Sequence, residues 1–440
     1  MPTNTGISQL TAAALATGTL LAVALGATVA AAAPAPTRTT TPLRLELPAP
    51  AGTSAIGSTE LRLVDKTRPN PWTDTGAREL MVSIWYPALS AHADPGPARP
   101  RAPYMRDGAA AQFDRGAAKN LGVEPGTVDW AGTRTHARLG PPAAKSHGRR
   151  PVVIYDPGMY NERTLGTAVV EELASRGYVV VTVDHPGEAN AVEFPDGRVE
   201  TPAPKLEAIA DPAERTRAAL KVRVADDRFV LDEIERLAAG RNPDADGRRL
   251  PRDLNRTIDP KRIGMFGHSL GGMATAETMR QDRRVDAGMS MDGPMAVVWN
   301  TTDPDGFLPV ARTGLDRPFL FQGAELPTLD GTGLVPHTHR NSPCLKSFWE
   351  RSTGFKRDLH WPKAKHNTFT DYPSLLPEVD RRLGLPKDLL SGLIGTVDPD
   401  RAVAAQRTVA SAFFDRSLDN KHRPILDGPS PALPEVDFIR

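Results

Sequence analysis

The stretch Ile263-Gly264-Met265-Phe266-Gly267-His268-Ser269-Leu270-Gly271-Gly272 decides the fold. A short apolar run, Ile263 to Phe266, leads into a glycine-rich turn, and a small-residue segment, Gly272 to Ala276, leads out of it. That order predicts strand, sharp turn, helix. Inside the turn, Gly267-His268-Ser269-Leu270-Gly271 fits G-x-S-x-G. A reversal this tight holds the serine in a strained backbone conformation. It also crowds the positions two residues to either side against neighbouring backbone, where glycine is favoured. The helix beginning after Ser269 directs its free N–H groups toward the hydroxyl oxygen. A serine presented in this way is a candidate nucleophile.

Working outward, the same alternation of strand and helix recurs. Val152-Val153-Ile154-Tyr155 and Tyr178 to Val183 are continuous apolar runs, the mark of strands buried on both faces. Glu162 to Arg176 has helical spacing and stops at Gly177. Ala213 to Ala239 is a long helix with Val224, Phe229, Val230, Ile234 and Leu237 on its apolar stripe. Further strands are expected at Arg262 to Phe266, Val285 to Met291, Pro318 to Gln322 and Arg357 to Trp361, with a helix at Gly271 to Arg280. Thr59 to Val64 and Leu80 to Trp85 alternate as half-buried strands do. The expected architecture is α/β: a mostly parallel central sheet with helices on both faces, the α/β-hydrolase fold. Pro87 to Lys145 reads as loops and short helices forming a partial cap.

A serine hydroxyl needs a base, and in this fold the chain order is nucleophile, acid, histidine. Asp292 stands where the Val285 to Met291 strand breaks at Asp292-Gly293-Pro294, and is the candidate acid. Asp286 lies at the wrong end of that strand, and Asp303, Asp305 and Asp330 read as loop residues. His366 follows the last expected strand and is the candidate base. His360 reads as structural and His422 as surface. Pro336-His337-Thr338-His339-Arg340 is a second candidate site, with metal binding as its alternative reading. The oxyanion hole is expected from two backbone N–H groups, Leu270 and Met159, the latter on the loop Asp156-Pro157-Gly158-Met159-Tyr160 after an early strand. Asp156 is expected to turn away and bond local backbone. Asp184-His185 reads as a structural pair, and Arg223, Asp226, Asp227 and Arg228 as helix-face charges pairing at i to i+3 or i+4. No cofactor and no bound metal is expected.

Composition sets the outer limits. The 440 residues carry 54 Lys plus Arg and 53 Asp plus Glu, a formal net charge of +1, which argues against nucleic acid as the main partner. The 42 prolines and 37 glycines imply many turns. Cys344 is the single cysteine, so no intramolecular disulfide holds the fold, and it reads as a packed residue rather than a reactive thiol. Residues 1–33 read as a secretory signal peptide, uncharged from Leu10 to Ala33 and ending in small residues, although no Lys or Arg precedes Leu10. A retained anchor is the alternative. Residues 34–57 read as a flexible Pro/Thr/Ala-rich segment and 58–440 as the hydrolase domain.

Together these residues resemble bacterial members of the plasma-type platelet-activating factor acetylhydrolase family. The likeness lies in Val152 to Gly158, Arg223 to Leu231, Gly264 to Gly272, Met289 to Gly293 and His366-Asn367-Thr368-Phe369-Thr370-Asp371, with the Ser269 to Asp292 spacing, across about Thr59 to Asp427. It implies Ser269, Asp292 and His366 as nucleophile, acid and base, with Met159 and Leu270 as oxyanion donors. It also implies a small ester or phospholipid substrate of short acyl chain and transient contact with a lipid surface. Two departures stand out. Asp156-Pro157-Gly158 replaces a Ser-His-Gly pattern, and Pro87 to Lys145 has no strongly apolar docking helix. A general carboxylesterase or polyester hydrolase is the alternative within enzymes, with a peptidase further off. A catalytically silent binding protein on the same scaffold is the alternative outside them. The oligomeric state is left open.

Overall fold

The computed structural model describes residues 41–440 apart from 91–92, 94–95, 146–147, 299–300 and 329–331. The expected signal peptide, residues 34–40 of the linker and Asp330 lie outside the described residues.

The strand at Arg150–Asp156 shows how the sequence builds the two layers. Val152 and Ile154 face one side, in a cluster with Val224, Leu231 and Met273, while Val153 and Tyr155 face the other, with Leu173, Phe266 and Phe413. The period of two divides its apolar run between both faces. Each such side chain contributes roughly 1.5–3 kcal/mol by leaving water.

Eleven strands form the main sheet. In chain order they are β1 (Ile56–Pro69), β2 (Ala77–Pro87), β3 (Arg101–Pro103), β4 (Arg134–Leu139), β5 (Arg150–Asp156), β6 (Val179–Asp184), β7 (Ile258–His268), β8 (Val285–Met291), β9 (Phe319–Gly323), β10 (Lys356–His360) and β11 (Asp437–Ile439). Across the sheet the order is β11-β10-β9-β8-β7-β5-β6-β2-β1-β4-β3. From β10 to β6 every neighbouring pair is parallel, whereas β2 joins β6 and β1 antiparallel. The helices longer than five residues are α1 (Asp107–Leu121), α2 (Thr167–Ser175), α3 (Pro212–Ala238), α4 (Leu270–Gln281), α5 (Pro343–Arg351), α6 (Tyr372–Leu383), α7 (Lys387–Ile394) and α8 (Pro399–Asp419). α3 and α4 cover one face of the sheet, α2 and α8 the other. Gly264 leaves room for α8: a Cβ there would lie 2.5 Å from the Phe414 ring.

Register sets the site. Asp156 on β5 pairs with Gly267 on β7, His268 with Met291 on β8, and Met291 with Gln322 on β9. The carboxyl ends of these strands finish level, so the loops beyond them leave one edge of the sheet together, where open parallel sheets place ligands.

Four local expectations change. α2 starts at Thr167 rather than Glu162, because Glu162 and Arg163 are buried in the loop before it. Residues 41–57 are docked rather than free. Leu45 and Leu47 are buried against Phe113 and Trp130, and Arg407 donates to the carbonyls of Pro48 and Ala49. The 87–145 stretch supplies α1 to the cap but also β3 and β4 to the sheet edge. α8 was not expected, because its buried face mixes small and polar residues, Gln406, Arg407, Ser411 and Asp415 among them. Cys344 is buried at the start of α5, as expected. Among the described residues no helix is long and apolar enough to cross a membrane.

Candidate active site

Ser269 sits between β7 and α4 with φ 54° and ψ −120°, a conformation an L-residue rarely adopts. The surroundings hold it there. Its N–H donates to the Met291 carbonyl at 2.9 Å and its carbonyl accepts from Gly272 at 2.9 Å. A Cβ on Gly267 would lie 2.3 Å from the Gly271 carbonyl carbon, and one on Gly271 would lie 2.0 Å from the Asp156 carbonyl oxygen. Both glycines are therefore required by close backbone approach.

Asp292, at φ 57° just past β8, makes four hydrogen bonds, one as donor and three as acceptor. Its N–H donates to the Gln322 carbonyl at 2.7 Å. His366 Nδ1 donates to Oδ2 at 2.6 Å, while His337 Nδ1 at 2.7 Å and the Ala324 N–H at 3.0 Å donate to Oδ1. Burial opposes the charge, but the bonds from His337 and His366 outweigh it and hold this carboxyl well below the usual carboxylate range. With its Nδ1–H committed to Asp292, His366 keeps a lone pair on Nε2, the nitrogen that can take a proton from a hydroxyl. The loop bearing His366 is pinned from several sides. His268 Nε2 donates to the His366 carbonyl at 2.9 Å, Thr368 Oγ1 to Ile394, and Gln406 Nε2 to the Thr368 carbonyl. The rings of His268 and His366 lie 4.5 Å apart. Burial, with His366 adding to it, pushes His268 down to about 3, so it stays neutral beside a histidine that must charge.

The loop after β5 packs against this elbow. The N–H groups of Met159 and Leu270 carry no hydrogen bond among the described residues and stay available to an anion. Beneath the loop lies a buried charge lattice. Arg223, on α3 and wholly buried, donates to the Asp156 carboxylate, to the Pro157 carbonyl and, at 3.0 Å, to the Gly158 carbonyl, while Glu188 holds its Nε at 2.9 Å. Asp156 thus turns into the interior toward Arg223 and His185 rather than to local backbone. His185 bridges Asp156 and Asp226. Burial works against its charge, but the carboxylates raise it to about 9. Arg223, Asp226 and Asp227 are therefore not a solvated helix face: they pair across elements, with Asp226 meeting Arg78 of β2 at 2.6 Å and Asp227 meeting Thr278 at 3.1 Å. Only Arg228 reaches outward, toward Asp282. The ligand atoms of Asp156, His185 and Asp227 lie within 4.8 Å of one another. Both His185 nitrogens are already bonded, however, and the Arg223 guanidinium supplies the positive charge.

A cleft of about 450 Å³ opens beside Met159 and Asn367, the neighbour of His366. Its walls carry Phe113 and Trp130 from the cap region and Tyr372 from α6, with Asn161 and Asn190 among the polar groups. It is large enough for a small organic substrate.

This geometry has relatives. The family model described as platelet-activating factor acetylhydrolase, isoform II, matches residues 133–310, which include Met159, Ser269, Leu270 and Asp292. A probable 1-alkyl-2-acetylglycerophosphocholine esterase of Arthroderma benhamiae is 28% identical over 307 residues, 67% of this chain and 68% of that protein. The platelet-activating factor acetylhydrolase of Gallus gallus is 22% identical over 301 residues, 63% and 64% of the two chains. A solved ferulic acid esterase from Streptomyces cinnamoneus is 35% identical, with a TM-score of 0.67 over 90% of this chain and 100% of that one. The chain belongs to the platelet-activating factor acetylhydrolase isoform II family. It is thereby an ester hydrolase of the α/β-hydrolase type.

For this family member, the structure brings Asp292 and His366 into direct contact, and it ties Ser269 on the elbow to Met291, the neighbour of Asp292. It does not gather His337 and His339 into one site. His337 bonds Asp292, whereas His339 bonds Asp358 at 2.6 Å and stacks on Trp349, so the paired-histidine metal reading fails on geometry. His360 meets Glu325 and His422 meets Asp427, both structural contacts, and Asp286 accepts from the Ile263 N–H within the sheet. Sequence reasoning named His337 only as part of a second candidate site and not as a partner of Asp292, and it read Arg223 as a helix-face charge. His337 carried a signal, since it lies between the acid and the base in chain order. Arg223 carried none beyond its place in the segment that resembled the family.

Proposed function

We propose that this chain is an exported serine hydrolase that cleaves carboxylic esters by two-step acyl transfer. Ser269 attacks the ester carbonyl while His366 Nε2 takes its proton, and Asp292 holds and stabilises the imidazolium. The negative carbonyl oxygen rests on the Met159 and Leu270 N–H groups. His366 then gives its proton to the departing alcohol, and water, deprotonated by the same histidine, releases the acid from Ser269. The single observation that carries this reading is the 2.6 Å bond from His366 Nδ1 to the buried Asp292, which fixes the tautomer a general base requires. Export is supported by the uncharged run from Leu10 to Ala33.

Short-chain acyl lipids of the platelet-activating factor type are the substrates this reading names first, after the curated relatives. Esters of aromatic acids are the second reading, favoured by the Phe113, Trp130 and Tyr372 walls of the cleft and by the ferulic acid esterase. The test compares turnover of an acetyl glycerophosphocholine, methyl ferulate and nitrophenyl acetate by the purified protein and by Ser269→Ala. Ser269→Ala is expected to lose on the order of 10⁶ in kcat and to escape labelling by a fluorophosphonate. Full activity in that variant would sink the reading. The better of the two natural-type esters identifies the substrate class.

A further inference from the structure

The buried Arg223 is too elaborately held to serve as a helix-face charge. Its guanidinium has no exposure and five donors, and those donors go to Glu188, the Asp156 carboxylate and two successive backbone carbonyls, Pro157 and Gly158. Those carbonyls belong to the loop that carries Met159. The Gly158 carbonyl and the Met159 N–H are the two ends of one planar peptide unit, and there is no cis bond among the described residues. In a trans peptide the C=O and N–H point in opposite directions. Arg223, which holds the Gly158 oxygen from inside the protein at 3.0 Å alongside the Asn161 N–H at 3.0 Å, therefore helps turn the Met159 N–H away from the interior, toward the cleft that Met159 lines.

We infer that Arg223 is the positioning residue of the oxyanion hole, aiming the Met159 N–H by gripping the other end of its peptide plane. The inference rests on the reading of Met159 as an oxyanion donor. The lattice around Arg223 explains why the grip is rigid. Glu188 fixes the Nε edge, and Asp156, itself held by His185, fixes one terminal nitrogen, so the remaining hydrogens can reach only the loop carbonyls. A planar, always-charged fork suits this task, whereas a lysine offers one point charge and cannot meet these acceptors together. The loop cannot compensate by moving. A Cβ on Gly158 would meet Asn161 Nδ2 and His268 Nδ1 at 2.9 Å, and Asp156 and Pro157 carbonyl oxygens already abut Gly271 of the elbow. A misaimed N–H weakens the transition state more than the ground state, because charge appears on the oxygen only during attack.

The test uses the full chain with Arg223→Lys and Arg78→Met. Arg78 pairs with Asp226 at the far end of the lattice and touches no carbonyl of the oxyanion loop. In Arg223→Lys, kcat for nitrophenyl acetate is expected to fall about 10²–10³-fold with KM little changed. A trifluoromethyl ketone, whose adduct with Ser269 carries the same oxyanion, loses affinity by the same factor. Arg78→Met lowers Tm but keeps kcat and ketone affinity. The inference is overturned if Arg223→Lys keeps both kcat and ketone affinity, or if Arg78→Met loses both to the same extent for an equal fall in Tm. Should Arg223→Lys not fold, Glu188→Gln takes its place, with a smaller loss of kcat matched by the loss of ketone affinity. Unchanged values there overturn the inference as well. Failure of the underlying hydrolase reading shows separately, as activity retained by Ser269→Ala.

Discussion

Asp292 is held by two imidazoles on one carboxylate, and only one of them faces the chemistry. His337 is buried and binds Oδ1, opposite the oxygen that holds His366. A hydrogen bond to a charged group contributes about 1.5–3 kcal/mol. His337→Phe is therefore expected to lower kcat about 10- to 100-fold with a fall in Tm, measured on nitrophenyl acetate and by thermal unfolding. Unchanged kcat would mean that Ala324 and His366 alone fix the carboxylate. Glu162, buried in the loop beyond Met159, answers differently to pH. Burial pushes its carboxyl up to about 8, with nearby backbone N–H groups pulling weakly the other way. Its folded-state value lies above the ordinary 4.5, so the folded protein binds the extra proton and this stabilisation is complete below about pH 4.5. It is lost as pH rises toward 8. Glu162→Gln should gain Tm relative to the parent between pH 5 and pH 8.5, and a difference independent of pH would refute the shift. At this scale Ser269, Asp292 and His366 were legible from motif and chain order. The roles of His337 and Arg223 were not, because their partners lie far away in sequence and no periodicity marks a side-chain contact across 45 or 65 residues.

The element that governs the site is the elbow, where β7, α4 and the loop after β5 meet through bare backbone. Gly271→Ala would press a Cβ into the Asp156 carbonyl oxygen 2.0 Å away and the Pro157 oxygen 2.6 Å away. Neither can yield without shifting the oxyanion loop, so the variant is expected to lose about 1–3 kcal/mol of stability together with most of its esterase turnover. Urea unfolding and a kcat measurement check the pair, and a stable, fully active Gly271→Ala would show that the loop moves freely. β5 and β6 were readable because fully buried parallel strands are runs of β-branched and other apolar residues, here Val152 to Tyr155 and Val179 to Val183. The start of α2 was misjudged because helical spacing continues into Glu162 and Arg163, whereas ion pairing of Arg163 with Asp184 and Glu60 holds those residues in a loop. α8 escaped because its inward face is Ala, Gln, Ser and Arg beside two phenylalanines, a stripe too polar to stand out.

At the scale of the whole molecule, the stretch around Leu45 and Leu47 belongs to the cap. Leu45 and Leu47 complete an apolar cluster with Phe113, Trp130 and Leu375, and Phe113 and Trp130 also wall the cleft. Leu47→Ala is expected to cost about 2–5 kcal/mol by chemical denaturation, and a cost near zero would mean that the segment does not dock. Pro, Thr and Ala composition suggested a free arm because docking is decided by a few leucines and by side chains elsewhere, such as Arg407 reaching the Pro48 and Ala49 carbonyls.

The sequence by itself determined the local events: which runs are strands, where the chain must turn on glycine, and the order of serine, acid and histidine. These follow from conformational preference and periodicity, which act over a few residues. Only the tertiary structure decided that Asp292 holds two histidines, that Arg223 grips the loop beneath the oxyanion donors, and that residues 41–57 close the cap. Each is a pairing between distant positions, and it exists because burial makes an unpaired charge or carbonyl costly once the elements have packed.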